Sequence, residues 1–296
     1  MTRGTVQMRL TESAAAVVEH HRNGAIRLTA SEGRSHAVPL TLIVLIAVTV
    51  FTFFRMDFGH VDLATAANQS LSDFWAMVAQ PALDPPLGAS HFTWDTVFSS
   101  TVTTIVITAI TTVISAVGAL FLGLAAAENL SNKAVSNVVK AFIAIIRAVP
   151  TILWVLVFTV AIGLGSEAAV LGISLHSLAY LTKSYSESFE EVDEGAIEAL
   201  KSSGAGFWQI VFQAILPETV TKLLSWTFIR LEINFANAVA VGAFAGAGGI
   251  GFQLYQAGSR YYNLHEVGVI VYICVLVAFA LEFCSTRLRR RYIVNE

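Results

Sequence analysis

Charge is what this sequence has least of: Asp, Glu, Lys and Arg make up 13% of its 296 residues, against about 25% in ordinary soluble domains. Hydrophobic residues supply 55% and the mean hydropathy is +0.66, so the chain reads as a polytopic membrane protein. A net charge of -3, with no basic face interleaved with aromatics, excludes nucleic acid as a partner. Cysteine is nearly absent: Cys274 and Cys284 share one apolar segment and support neither a disulfide framework nor a thiolate metal site. No metal is expected. Catalytic patterns are missing too, since there is no HExxH, no nucleophile elbow and no pair of intramembrane carboxylates. His176, the one histidine inside an apolar run, reads as hydrogen-bonded packing. No catalytic residue is assigned, and no repeat of solenoid period is visible.

What is present is a series of apolar runs, each able to cross ~30 Å of hydrocarbon as a helix of roughly 20 residues. Six are read, at about 37–54, 94–127, 138–163, 168–183, 217–246 and 267–286, which predicts an all-α integral membrane protein with six transmembrane helices. The second run is rich in Thr and Ser, whose hydroxyls can bond back to helix carbonyls. Pro150 is expected to kink the third, and Pro217 to open the fifth.

Orientation follows from the basic residues, because Lys and Arg in short loops stay on the cytoplasmic side. Arg3, Arg9, Arg22, Arg27 and Arg34 precede the first run, none occurs between Arg55 and Lys133, and the tail carries 287-RLRRR-291. Both termini are therefore placed in the cytoplasm, with 1–36 as a cytoplasmic N-terminal extension ahead of a membrane domain at 37–296. The loop carrying Asp57, Asp62, Asp73 and Asp84 is placed outside, where 68-NQSLSDFWAMVAQ-80 suits a surface helix. The triplet 64-ATA-66 lies too far past a too-long apolar core to be read as a signal-peptide cleavage site.

Between the fourth and fifth runs, 184–216 is too broken to cross lipid. Asp193 is expected as an N-cap, with Glu194 in the first turn where the helix dipole favours negative charge. Ala196, Ile197, Ala199 and Leu200 then make one apolar face, Gly204 breaks the chain, and 206-GFWQIVFQAIL-216 starts a second helix. The product is a helix, a tight turn and a helix at the cytoplasmic surface. Small side chains around Gly204 permit close approach of a partner, while Phe207 and Trp208 supply the area of interface anchors. A connector lying on lipid is the competing possibility, but would carry more basic residues than Lys201 alone.

This segment resembles the cytoplasmic motif of ABC-importer permeases: EAA, three residues, Gly, nine residues, Ile, any residue, Leu-Pro. Glu198, Ala199, Gly204, Leu216 and Pro217 match it, while Leu200 replaces the second Ala and Ala214 the Ile. In that family it is the coupling helix that docks in a groove of the ATPase subunit. About half of the chain is further similar to phosphonate-type permeases, through 147-RAVPTILWVLVFTVAIGLG-165, 175-LHSLAYLTKSYSESFEEVD-193, 225-SWTFIRLEINFANAVAVGAFAGAGGIGFQL-254 and the basic tail.

The resemblance implies a type I ABC-importer permease fold in the bacterial plasma (inner) membrane, surrounded by lipid. It implies as partners a second copy of the chain, making a homodimer, two ATP-binding cassette subunits and an extracytoplasmic substrate-binding protein. The cargo would be phosphonate, phosphite or phosphate, moved by alternating access. No cofactor is expected on this chain, ATP and magnesium belonging to the partner ATPase. Two alternatives stand beside it. One is an ABC permease for an amino acid such as methionine, which shares the motif. The other is an ion-coupled secondary transporter, although internal repeats and midplane charges on several helices are not prominent.

Ionisable groups inside a bilayer are costly and face a protein interior or a water-filled path. Arg230, Asn234 and Asn237, at i, i+4 and i+7, share one helix face. Glu232 lies about 200° around the helix from Arg230 and cannot pair with it directly. The stripe is read either as lining the translocation path or as glue between helices, with Glu232 engaging a neighbouring helix through Arg147. The run 242-GAFAGAGGIGFQ-253 follows no strand and lacks the Lys-Ser or Lys-Thr of a nucleotide phosphate loop. Its Gly242 and Gly246 form a small-xxx-small pair, and with Gly248, Gly249 and Gly251 they are read as packing plus a gate at the outer end.

Overall fold

A computed structural model of the chain describes residues 18–20, 26–28, 37–55, 62–83 and 92–293. Asp57 and Asp84, Arg3, Arg9, Arg22 and Arg34 lie outside the described residues, as do the other positions of 1–36 except 18–20 and 26–28. Two compact units divide the chain, Met1–Asn68 and Gln69–Glu296.

In the first unit, β1 (Val18–His20) pairs antiparallel with β2 (Ile26–Leu28), placing Glu19 opposite Arg27. A chain read as wholly helical thus carries one small two-stranded element. Helix α1 (Ala37–Arg55) is apolar on every side and its large side chains from Val38 to Phe54 are exposed; a helix hydrophobic all round has lipid as its natural surroundings. Helix α2 (Leu63–Ala79) begins in the first unit and ends in the second.

Apart from that ladder, all regular structure among the described residues is helical. The second unit continues with α3 (Trp94–Ala126), α4 (Lys133–Ala148), α5 (Thr151–Ile162), α6 (Ser166–Glu190), α7 (Glu194–Ser202), α8 (Phe207–Ile210), α9 (Leu216–Ala245), α10 (Gly249–Tyr255) and α11 (Leu264–Ile293). Among the described residues four helices are long and apolar enough to cross a membrane: Val38–Arg55, Trp94–Ala126, Phe207–Ala245 and Leu264–Arg289. A fifth arises if α4 and α5 count as one broken span.

That pair bends by 88°, far more than a kink. Pro150 has no N–H to donate and drives the preceding Val149 out of the helical region, to φ -95 and ψ 124. Helix α6 is longer than the run at 168–183 and does not qualify on apolar length. It is packed by α3, α4, α5 and α9, so much of its surface meets protein, and residues such as Ser174, Ser177, Thr182, Ser184, Ser186 and Ser188 can be buried in it.

The Thr and Ser side chains of α3 behave as their chemistry dictates. Thr101, Thr104, Thr108, Thr112 and Ser115 each donate to the carbonyl four residues back, at 2.6–3.1 Å. Each buried hydroxyl proton is thereby satisfied within its own helix, leaving the oxygen free to accept from a neighbour.

Candidate functional site

The segment around Gly204 is a fixed projection. Gly204 has φ +85, a left-handed conformation that costs other L-residues about 1–2 kcal/mol, and a Cβ there would meet nothing within 4 Å. The turn is therefore dictated by backbone geometry and not by crowding. Asp193 occupies the N-cap position of α7 without a capping hydrogen bond; its carboxylate lies over Gly195 instead. Gln209 closes the second helix by accepting from the Gly206 N–H at 2.6 Å.

Beneath the projection, Ile197, Ile210, Val211 and Ile215 are buried in one cluster with Leu181, Tyr185 and Phe189 of α6 and Leu124 of α3. Ion pairs fasten the same end: Lys140 reaches Glu128 at 2.6 Å and Glu190 at 3.0 Å, and Lys222 reaches Glu191 at 2.8 Å. The Lys140 hydrogen bond holds the Glu128 carboxyl below its usual range. Glu198 and Ala199 are exposed. So are the large rings, Phe207 at 44%, Trp208 at 53% and Phe212 at 63%, with Trp208 stacked on Phe212 and edge-on to Phe207. Three rings are thus presented outward on a packed base.

Pro217 stands in the first turn of α9, as expected. The helix runs without a break from Phe207 to Ala245, because a widened π turn at Val211–Ile215 stands immediately before the proline. Such a turn absorbs the hydrogen bond that Pro217 cannot make. Leu216 and Pro217 are therefore internal to one rod that begins at the exposed rings and ends at the glycine-rich turn.

Halfway along that rod lies a chain of hydrogen bonds. Arg230 Nε donates to Ser177 Oγ at 2.9 Å, Ser177 Oγ donates to Asn234 Oδ1 at 2.7 Å, and Asn234 Nδ2 donates to Thr112 Oγ1 at 2.9 Å. Arg230 NH2 also lies 3.0 Å from His176 Nδ1. A guanidinium only donates, so Nδ1 accepts and the ring proton sits on Nε2. Arg230 is 2% and Asn234 0% exposed, so the two belong to the contact between α3, α6 and α9. Asn237 is only half-buried and no hydrogen bond joins it to them.

Arg147 does not engage Glu232. Its guanidinium lies over the Tyr180 ring at 5.9 Å, the ring that Arg230 also covers at 5.1 Å, while Glu232 Oε1 is buried without a hydrogen bond. Arg147 lies on α4, which packs against α6, and so its guanidinium meets Tyr180 of that helix. Ser177, Tyr180 and Thr112 were not singled out from sequence. His176, Ser177 and Tyr180 do lie within four residues on α6, but only contact with α9 shows that they act together.

The glycines have divided tasks. A Cβ on Gly251 would fall 1.8 Å from Val239 O, and one on Gly242 3.1 Å from Gly248 O, so these two let α10 fold back against α9. Gly246 is not a packing partner of Gly242: at φ +61 it ends α9 in the left-handed conformation. Gly249 brings the following N–H to α3, where Ile250 N donates to Thr104 Oγ1 at 2.8 Å. Among the described residues no group of three or more His, Cys, Asp or Glu converges as a metal set would.

A helical body of apolar spans, crossed by a buried polar chain and carrying an exposed aromatic cluster on a braced base, has the character of an integral membrane protein. Residues 119–292 match the model of the binding-protein-dependent transport system inner membrane component family, and the chain belongs to that family. It is 30% identical to the phosphate-import permease protein PhnE of Mycolicibacterium smegmatis over 84% of this chain and 45% of that one. It is also 30% identical to the phosphite transport system permease protein PtxC of Stutzerimonas stutzeri, over 61% of this chain and 66% of that one. The chain thus spans about half the length of the first relative and just under two thirds of the second. Among solved structures, a chain of the inward-facing MetNI methionine ABC transporter superimposes with a TM-score of 0.61 at 23% identity, covering 68% of this chain and 99% of that one. That likeness is one of fold.

Proposed function

We propose that this chain is the membrane-spanning subunit of an ATP-driven importer of phosphorus oxyanions: phosphonate, phosphite or phosphate. It works as one of two identical copies, with two ATP-binding cassette subunits on the cytoplasmic side and an extracytoplasmic protein that delivers the substrate. Six spans cross the bacterial inner membrane, α6 and the bent α4–α5 pair joining the four apolar helices, and both termini are cytoplasmic.

The observation that carries this reading is the unbroken helix Phe207–Ala245. It connects the exposed Phe207 and Trp208 to the buried Arg230 and Asn234 without a joint. A displacement of the rings by closing ATPase subunits is transmitted to the middle of the membrane as motion of one rod. The two permease chains then rock between inward and outward openings, driven by the partners' differential affinity for the two states. The cargo assignment is supported by the phosphate and phosphite permeases among the relatives.

The decisive experiment reconstitutes the chain with its co-purified ATPase and binding protein in vesicles and follows uptake of labelled phosphate, phosphite and methylphosphonate. ATP-dependent uptake of at least one is expected. Transport by the purified chain alone, or labelling of a Ser203→Cys variant only from outside, defeats the reading. Methionine is the second cargo to test, because the solved fold neighbour belongs to a methionine transporter. Uptake of methionine and of no phosphorus oxyanion would reassign the cargo.

A further inference from the structure

Three lysines of the bundle, Lys140, Lys183 and Lys222, are matched by carboxylates, whereas two arginines that share one aromatic ring are not. Lys140 has Glu128 and Glu190, Lys183 has Glu187 at 3.2 Å, and Lys222 has Glu191. Arg147 and Arg230 have none within ion-pair distance among the described residues. Both guanidiniums instead share the Tyr180 ring, at 5.9 and 5.1 Å from its centroid. Arg230 is 2% exposed, and its hydrogen-bond partners Ser177 Oγ and His176 Nδ1 are neutral.

Such an arrangement is electrically incomplete. A buried cation without a counter-ion is unfavourable by several kcal/mol, and a second cation over the same ring adds like-charge repulsion. The ring face offsets this only in part, at roughly 0.5–2 kcal/mol per guanidinium. Arg147 also lines a cavity of about 280 Å³ between α4 and α6, together with Lys140, Lys183, Glu187 and Glu190. Three cations face two carboxylates there, and both carboxylates are already engaged by the lysines. Arg147 is the one cation lining the cavity that has no ion pair, and Tyr180 connects it to Arg230 of the buried chain.

We propose that Arg147 and Arg230, arranged around Tyr180, form a transient site for the transported oxyanion, which serves as their missing counter-ion during passage. This rests on the oxyanion-importer reading above and deepens it. Guanidinium pairs suit tetrahedral oxyanions because each presents a planar fork of donors. A zwitterionic amino acid fits worse, since its ammonium would need a free carboxylate that the cavity lacks. Arg230 is held in place by Ser177 and His176, while Arg147 is exposed and able to follow the anion. The site is thus one fixed and one movable cation.

The test uses the full chain in nanodiscs with its co-expressed ATPase, melted in inorganic phosphate and in chloride of equal ionic strength. Phosphate is expected to raise the melting temperature of the wild type and not that of Arg147→Gln. Removal of one of two like charges relieves repulsion, so Arg147→Gln melts no lower than wild type in chloride. In vesicles its phosphate uptake falls roughly tenfold or more, the loss of one charge-assisted contact, and Arg147→Lys recovers part of it. A phosphate shift that persists in Arg147→Gln overturns the proposal, as does a lower melting point for it in chloride, which would mark a structural residue. Absence of a phosphate shift in the wild type overturns it as well: continued phosphate uptake then leaves the importer reading standing alone, whereas exclusive methionine uptake removes both.

Discussion

Asn234 Nδ2 donates to Thr112 Oγ1 at 2.9 Å, joining residues 122 positions apart, while the same carboxamide accepts from Ser177 through Oδ1. One side chain thereby ties α3, α6 and α9 together at a level where no water is available to replace a lost bond. With Arg230 Nε also donating to Ser177, the carboxamide sits at the centre of the polar contact between three helices.

Asn234→Ala should therefore lower stability by about 1–3 kcal/mol, the sum expected for two interhelical hydrogen bonds and a partner left short. Thermal unfolding in detergent checks this. A double-mutant cycle with Thr112→Val should return a coupling of about 0.6 kcal/mol or more; additive losses would show that the bond contributes nothing to holding α3 on α9. Normal uptake in an assembled Asn234→Ala transporter would exclude that residue from the substrate path.

Gly204→Ala should insert and fold, because its Cβ has open space, yet strain the turn by about 1–2 kcal/mol. Gly204→Asn should lie closer to wild type, Asn being tolerant of the left-handed conformation. The bulkier Gly204→Glu should uncouple ATP hydrolysis from uptake while leaving expression intact. Paired measurements of hydrolysis and uptake decide the matter, and unchanged coupling in Gly204→Glu counts against the projection as a lever.

Trp208→Ala and Phe207→Ala remove exposed rings, so the melting temperature of the isolated chain should shift by no more than about 0.5 kcal/mol equivalent. Retention of the ATPase on co-purification should fall by the equivalent of about 2 kcal/mol, as for interface anchors. The opposite pattern, unchanged ATPase retention with weaker membrane association, would identify a lipid-lying connector.

Gly251→Ala should be the most damaging single methyl group in the chain, because its Cβ would fall 1.8 Å from Val239 O and must push α10 off α9. The Ile250 N–H bond to Thr104 then opens as well. Protein yield after detergent extraction should drop sharply. Gly258→Ala, where the nearest atom is 3.6 Å away, is the matched control and should behave as wild type.

Much of this was legible along the chain. Apolar length marks α1, α3 and α11 because lipid selects composition directly, and the Thr-rich face of α3 announces its own backbone bonding. Gly204, followed by two large aromatics, specifies an exposed turn through local geometry alone. Helix α6 was harder to delimit: its neighbours are proteinaceous, so its residues obey packing rather than hydropathy. Pro217 marks the first turn of α9, but nothing in one-dimensional order signals the π turn that continues helical structure back to Phe207.

Sequence by itself determined the class of this protein and the position of its exposed turn at Gly204, since both follow from short-range properties: hydropathy over a helix length, and backbone freedom at a single glycine. Only the tertiary structure decided the partners of the intramembrane charges. It placed Arg147 and Arg230 on one tyrosine, left Glu232 apart from both, and joined Asn234 to Thr112. Those outcomes depend on which helices pack together and on their rotation about their own axes. Such rotations are set by many small contacts summed over the bundle, which no local stretch of residues contains.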